Sequence, residues 1–126
     1  VGNPGINLLP VRLTDGELVW HDIALPGNTA DHLSQAADAV DFLLGVRPEH
    51  LHLTDDPTMV PAWPVELRRQ EHLGDRELWH LNGPGGERIC VTRPAGAATL
   101  GNPLHLCIPT KRQLLFDARD GQRLFP

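Results

Sequence analysis

Seven histidines, two cysteines and eleven basic side chains are the groups in this 126-residue chain with chemistry to offer. His50 and His52 are two positions apart, as are His105 and Cys107, and on a strand such pairs share a face. With His80 or Cys90 nearby, a zinc site can be imagined, but no set of four ligands has a standard spacing. The histidines therefore read as surface groups opposite core faces, and no metal is expected. Arg47, Arg68, Arg93 and Lys111 are the candidates for holding a small anion or a sugar phosphate, a task that needs several donors converging on one pocket. Arg47 by itself reads as structural, its guanidinium tying a turn together through carboxylates such as Glu49 or through carbonyls. Gly83-Pro84-Gly85-Gly86 is followed by Glu87 and a strand pattern, not by the Gly-Lys-Ser/Thr and helix of a phosphate cradle, so it is a hairpin turn. Ser34 is the only serine and has no hydrolase-like neighbours, while Asp55-Asp56 is solvated loop charge. No catalytic residue is assigned.

The elements that would carry these groups are short strands. Twelve prolines and twelve glycines break the chain every few positions, which disfavours long helices. Ile6 to Leu13 is an apolar run interrupted by Pro10, hence an edge or bent strand. Asp15-Gly16 is a hairpin signal, Leu18 to Leu25 returns, and Pro26-Gly27-Asn28 closes the hairpin. Val40, Phe42, Leu44 and Val46 alternate as a strand that stops at Pro48. The same region also fits a helix, with apolar residues at 33, 36, 37, 40, 43 and 44 and Asp31 as a cap. The expectation adopted is a short helix or turn near residues 31–38, then the strand. A proline-rich loop at 55–64 divides the chain in half. Beyond it, Val65–Glu71, Glu77–Leu81, Glu87–Arg93, Leu104–Ile108 and Leu114–Phe116 are expected strands, which together make a small barrel or sandwich. Trp20, Trp63 and Trp79 are expected in core or interface, with Trp63, between prolines, the one most open to exposure.

One domain is expected over residues 1–126, since this length supports a single core. No apolar run reaches the roughly 18 residues that suggest a membrane span, and no signal-peptide pattern opens the chain. The missing initiator methionine suggests a piece of a longer polypeptide. A net charge of −5 with scattered cations argues against nucleic-acid binding. Cys90 and Cys107 are expected as buried or half-buried free thiols.

Three blocks resemble one family in order along the chain. Val1-Gly2-Asn3-Pro4-Gly5-Ile6-Asn7-Leu8-Leu9-Pro10 is similar to its entry segment, Gly45-Val46-Arg47-Pro48-Glu49-His50-Leu51 to its Gly-aliphatic-Arg-Pro-Glu core, and Leu114-Leu115-Phe116-Asp117 with Gly121 to its closing segment. Glu71-His72-Leu73-Gly74 matches a turn common between them. The family is the C-terminal regulatory TOBE (OB-like) domain of sugar-type ABC importer ATP-binding subunits, of maltose or glycerol-3-phosphate type. Ile6 stands where methionine is frequent and Leu114 where histidine is frequent. The compact ending from Asp117 to Arg123 favours the glycerol-3-phosphate type.

The resemblance implies a mainly β, OB-like TOBE barrel with one short helix, and a non-catalytic regulatory and dimerisation role. It implies a homodimer, with Phe116 and the strand Leu106, Cys107 and Ile108 at the dimer or regulator interface, and Gly45, Arg47, Pro48 and Glu49 as the structural motif. Further implied partners are the chain's own ATPase domain, the transporter's membrane subunits and a cytosolic regulatory protein. ATP and Mg would belong to that ATPase domain, with no cofactor here. The implied location is the cytoplasmic face of the cell membrane. The alternative function is a ligand module sensing a small anion or sugar phosphate through Arg47, Arg68, Arg93 and Lys111.

Overall fold

Alternation of apolar residues, cut by turn residues, produces two antiparallel sheets around one core. The computed structural model describes residues 5–33 and 40–125. The strands are β1 (Asn7–Thr14), β2 (Glu17–Trp20), β3 (Ile23–Ala24), β4 (Asp41–Val46), β5 (His52–Thr54), β6 (Trp63–His72), β7 (Arg76–Asn82), β8 (Arg88–Pro94), β9 (Leu104–Cys107), β10 (Leu114–Asp117) and β11 (Arg123–Phe125). The first sheet has the order β11-β10-β4-β1-β2-β3 and the second β5-β9-β6-β7-β8. Strands from both ends of the chain thus share the first sheet, while β5 crosses into the second.

The core draws on both sheets: Leu9, Val11, Trp20, Phe42, Leu44 and Leu115 face Trp63, Leu81, Ile89, Val91 and Leu106. The expected OB-like, mainly β architecture is the one found. Its helical content among the described residues is two 3-10 turns, Thr29–His32 and Pro48–His50. Leu33 is already extended and Asp41–Val46 is strand, so no helix runs on to Leu44. Residues 34–38 of the expected helix or turn, Ser34 among them, and Val1–Pro4 of the entry segment lie outside the described residues.

Four features go beyond or against the pattern the sequence suggests. Trp63 is fully buried, because it opens β6 with Val65 and alternation turns both inward while Pro64 faces out. Its indole N–H donates to the Trp20 carbonyl at 2.6 Å, and the two rings sit 5.3 Å apart, an aromatic contact worth about 1 kcal/mol beyond area burial. Leu18 to Leu25 is two strands, since His21 and Asp22 both take positive φ (48° and 64°) and form a second tight turn. β1 is central in its sheet, but β2 pairs only with Arg12–Thr14, so at Pro10 the missing N–H disturbs no ladder on that side. β11 was not anticipated.

Side chains close the gap between the sheets. Glu87, in the β7–β8 loop, accepts from His21 Nε2 at 2.5 Å, from Trp20 Nε1 at 3.1 Å and from the Gly85 N–H at 2.8 Å. Burial opposes the Glu87 charge, but these donors outweigh it and hold the carboxyl below its ordinary range. At the other side Asn7, only 5% exposed, acts as a surrogate strand partner. Its Nδ2 donates to the carbonyls of Val46 (3.0 Å) and Cys90 (2.9 Å), and its Oδ1 accepts from the Cys90 N–H at 2.8 Å. One amide therefore satisfies an edge residue of β8 and joins it to β1 and β4.

Candidate functional site

The outward side of the first sheet is apolar where a solvated sheet face is ordinarily polar. Along β1 the residues Asn7, Leu9 and Val11 point in, leaving Leu8, Pro10 and Arg12 outside. Phe42, Leu44 and Val46 of β4 point in, leaving Asp41, Leu43 and Gly45; Leu115 and Asp117 of β10 point in, leaving Leu114 and Phe116. Register then assembles rows across the three strands: Leu8–Gly45–Leu114, next Pro10–Leu43–Phe116. An exposed ion pair, Arg12 to Asp41 at 3.1 Å, marks the polar end of this face. Leu8 is 48% exposed, and Leu43, Leu114 and Phe116 are half-buried.

Gly45 makes the face close-packed. A Cβ there would lie 2.6 Å from Ile6 Cδ1 and 2.9 Å from Phe116 Cε2, so the ring and the isoleucine occupy the space a side chain would fill. The remaining motif residues hold the turn that follows. Arg47 donates to the Gly5 carbonyl at 3.3 Å rather than to Glu49, Pro48 is buried at the start of the 3-10 turn, and Glu49 is exposed. The closing segment is locked in the same spirit. Asp117, 6% exposed, accepts a two-pronged bond from Arg119 (3.0 and 2.8 Å) together with the Arg119 N–H, which lowers its carboxyl to about 2.

The expected interface residues do not share one surface. Phe116 stands on the outer face of the first sheet, whereas Leu106, Cys107 and Ile108 belong to β9 and its end, in the second. Leu106 and Ile108 are 0% and 4% exposed, so their side chains are core; Cys107 is half-buried on the opposite face of β9. Ile6, Leu8, Pro10, Leu43 and Leu114 were the residues missed. The uninterrupted run Leu8-Leu9-Pro10-Val11 was the available signal, because a strand covered on both faces loses its alternation.

The four cations do not converge either. Arg47 is at the Gly5 carbonyl, Arg93 lies over the Trp79 ring at 5.0 Å and donates to the Ala98 carbonyl, and Lys111 is exposed in the loop before β10. Arg68 lines a different cleft, beside β1. Among the described residues no group of three His, Cys, Asp or Glu side chains is placed to hold a metal ion. His80 and Cys90 do meet, Nδ1 to Sγ at 3.5 Å, and His80 Nε2 reaches Glu71 at 2.5 Å. Burial pushes both thiols, Cys90 and Cys107, up from their ordinary value. No helix is long and apolar enough to cross a membrane among the described residues.

Residues 44–116, from the end of β4 through the turn that leads into the second sheet and on to β10, match the TOBE domain, and the chain belongs to that family. Its similarity to whole proteins runs further. It is 31% identical over 127 residues to the sn-glycerol-3-phosphate import ATP-binding protein UgpC of Cereibacter sphaeroides, covering 98% of this chain and 33% of that protein. It is 31% identical over 119 residues to the maltose/maltodextrin import ATP-binding protein MalK of Yersinia pestis, covering 85% and 32%. The chain thus spans about a third of the length of the curated relatives it matches. A crystal structure of the cytoplasmic molybdate-binding protein ModG superposes with a TM-score of 0.65 at 14% identity, over 86% of this chain and 94% of that one, a likeness of fold.

Proposed function

We propose that this TOBE domain is a non-catalytic regulatory and pairing module of an importer ATP-binding subunit, and that it pairs with a second copy of itself. The observation that carries the reading is the apolar outer face of the first sheet, built from Leu8, Pro10, Leu43, Leu114 and Phe116 around Gly45. A contiguous apolar surface of this kind is typical of an interaction site, and a two-fold arrangement lets the same patch serve both partners. Pairing would hold two ATPase domains at high local concentration while their nucleotide sites open. ATP and Mg chemistry would reside in those domains. The similarity to glycerol-3-phosphate and maltose import ATP-binding proteins supports membrane-subunit partners and a cytoplasmic-side location, with any cytosolic regulator docking elsewhere on the domain.

Sedimentation equilibrium tests the pairing. The chain is expected to sediment as a dimer, and Phe116→Asp, which puts a charge into the patch that pairing would desolvate, is expected to leave a folded monomer. A monomeric wild-type chain at millimolar concentration, or a Phe116→Asp variant as dimeric as wild type, overturns the reading.

A further inference from the structure

A cleft of about 650 Å³ runs along the outside of the second sheet, between the start of β1 and strands β6 to β8. Its walls are apolar, including Ile6, Leu8, Leu78 and Ile89, and three arginines, Arg68, Arg69 and Arg88, line it as well. Arg68 is there because β6 shifts register between Leu67 and Arg69, leaving it as the extra residue of a bulge; bulges re-aim side chains and recur beside binding sites. Among the described residues that line the cleft the one carboxylate, Glu71, is already engaged by His80 at 2.5 Å and by Arg69 at 3.4 Å. Among the described residues neither Arg68 nor Arg88 has an ion pair. Two uncompensated guanidinium groups therefore share one cleft in a chain whose net charge is −5.

Guanidinium forks match the oxygens of phosphates and carboxylates, and clefts of about 300 to 1,000 Å³ accommodate small molecules. We propose that this cleft binds a small organic anion, its phosphate or carboxylate head held by Arg68 and Arg88 and its apolar body laid against Ile6 and Leu78. The site is distinct from the pairing face, although Leu8 borders both. Of the four cations read from the sequence it keeps Arg68 alone, leaves out Arg47, Arg93 and Lys111, and adds Arg88.

Calorimetric titration with phenyl phosphate tests the proposal, and alkylation of the thiols by N-ethylmaleimide locates the binding. Cys90 lines the cleft, while Cys107 is equally half-buried on another strand and serves as the internal control. Binding heat is expected with phenyl phosphate and less with inorganic phosphate or phenol, which each lack one half of the recognised group. Phenyl phosphate is expected to slow alkylation of Cys90 and leave Cys107 unchanged. The double variant Arg68→Gln/Arg88→Gln should lose about tenfold or more in affinity, with an unchanged Cys107 rate reporting an intact fold. Monomeric Phe116→Asp should still bind, which separates this proposal from the pairing reading. Absence of heat, equal slowing of both thiols, or undiminished binding by the double variant overturns it.

Discussion

Replacing Asn7 by alanine removes a side chain that stitches three strands together. Its three hydrogen bonds reach Val46 on β4 and both backbone groups of Cys90 on β8. At about 1 kcal/mol net for each bond, Asn7→Ala is expected to cost about 3 kcal/mol. In urea, with a slope of about 2 kcal/mol per M, that moves the midpoint down by about 1.5 M. For a chain of this size it lowers Tm by about 12 °C. Asn7→Asp sharpens the test: the carboxylate still accepts from the Cys90 N–H but confronts two carbonyls with negative charge, so it is expected to be worse than alanine. Amide hydrogen exchange at Cys90 should accelerate in the alanine variant, since its N–H loses the Asn7 acceptor. A urea shift corresponding to under about 1 kcal/mol, or an aspartate as stable as wild type, refutes the reasoning that this amide closes the sheet edge.

Two further predictions concern the frame that carries the pairing face. Gly27 has φ +94° and a Cβ there would collide with the Thr110 carbonyl oxygen; Gly27→Ala is expected to destabilise by about 2 kcal/mol or more, read from thermal unfolding. Asp117 is held at about 2, below its ordinary 3.8, by the Arg119 bonds. A depressed carboxyl contributes stability above its unfolded value that is lost as pH falls from about 4 toward 2. Asp117→Asn should therefore be less stable than wild type at neutral pH, with the gap narrowing across that acid window in urea titrations; a constant gap contradicts the assignment.

Strand positions were legible because alternation and turn chemistry are local. Asp15-Gly16 and Gly83 to Gly86 turn where their φ angles require, at Gly16 (82°) and Gly86 (85°). The His21-Asp22 turn was not legible, since two non-glycine residues hold positive φ there with His21 bonded to Glu87, 66 residues away. Trp63 was ambiguous for a related reason: flanking prolines suit an exposed loop, yet β6 begins there and pairing with Leu106 sets its inward position. The site was harder still. Period-two spacing says that Leu8 and Pro10 share a face, but not that Leu43 and Phe116 lie beside them, because that needs the β1–β4–β10 register. Arg68 shows the same limit, as its aim depends on a bulge that its own residue type does not announce.

Self-crosslinking at Leu43 probes the pairing face most directly. Leu43 sits between Pro10 and Phe116 at the middle of the three-strand patch, so a two-fold contact brings it near its own copy. In a background with Cys90 and Cys107 changed to serine, Leu43→Cys should oxidise rapidly to a disulfide-linked dimer, while Glu17→Cys on the β1–β2 hairpin stays monomeric. Equal, slow crosslinking at both positions would contradict the claim that this sheet face joins two copies of the domain.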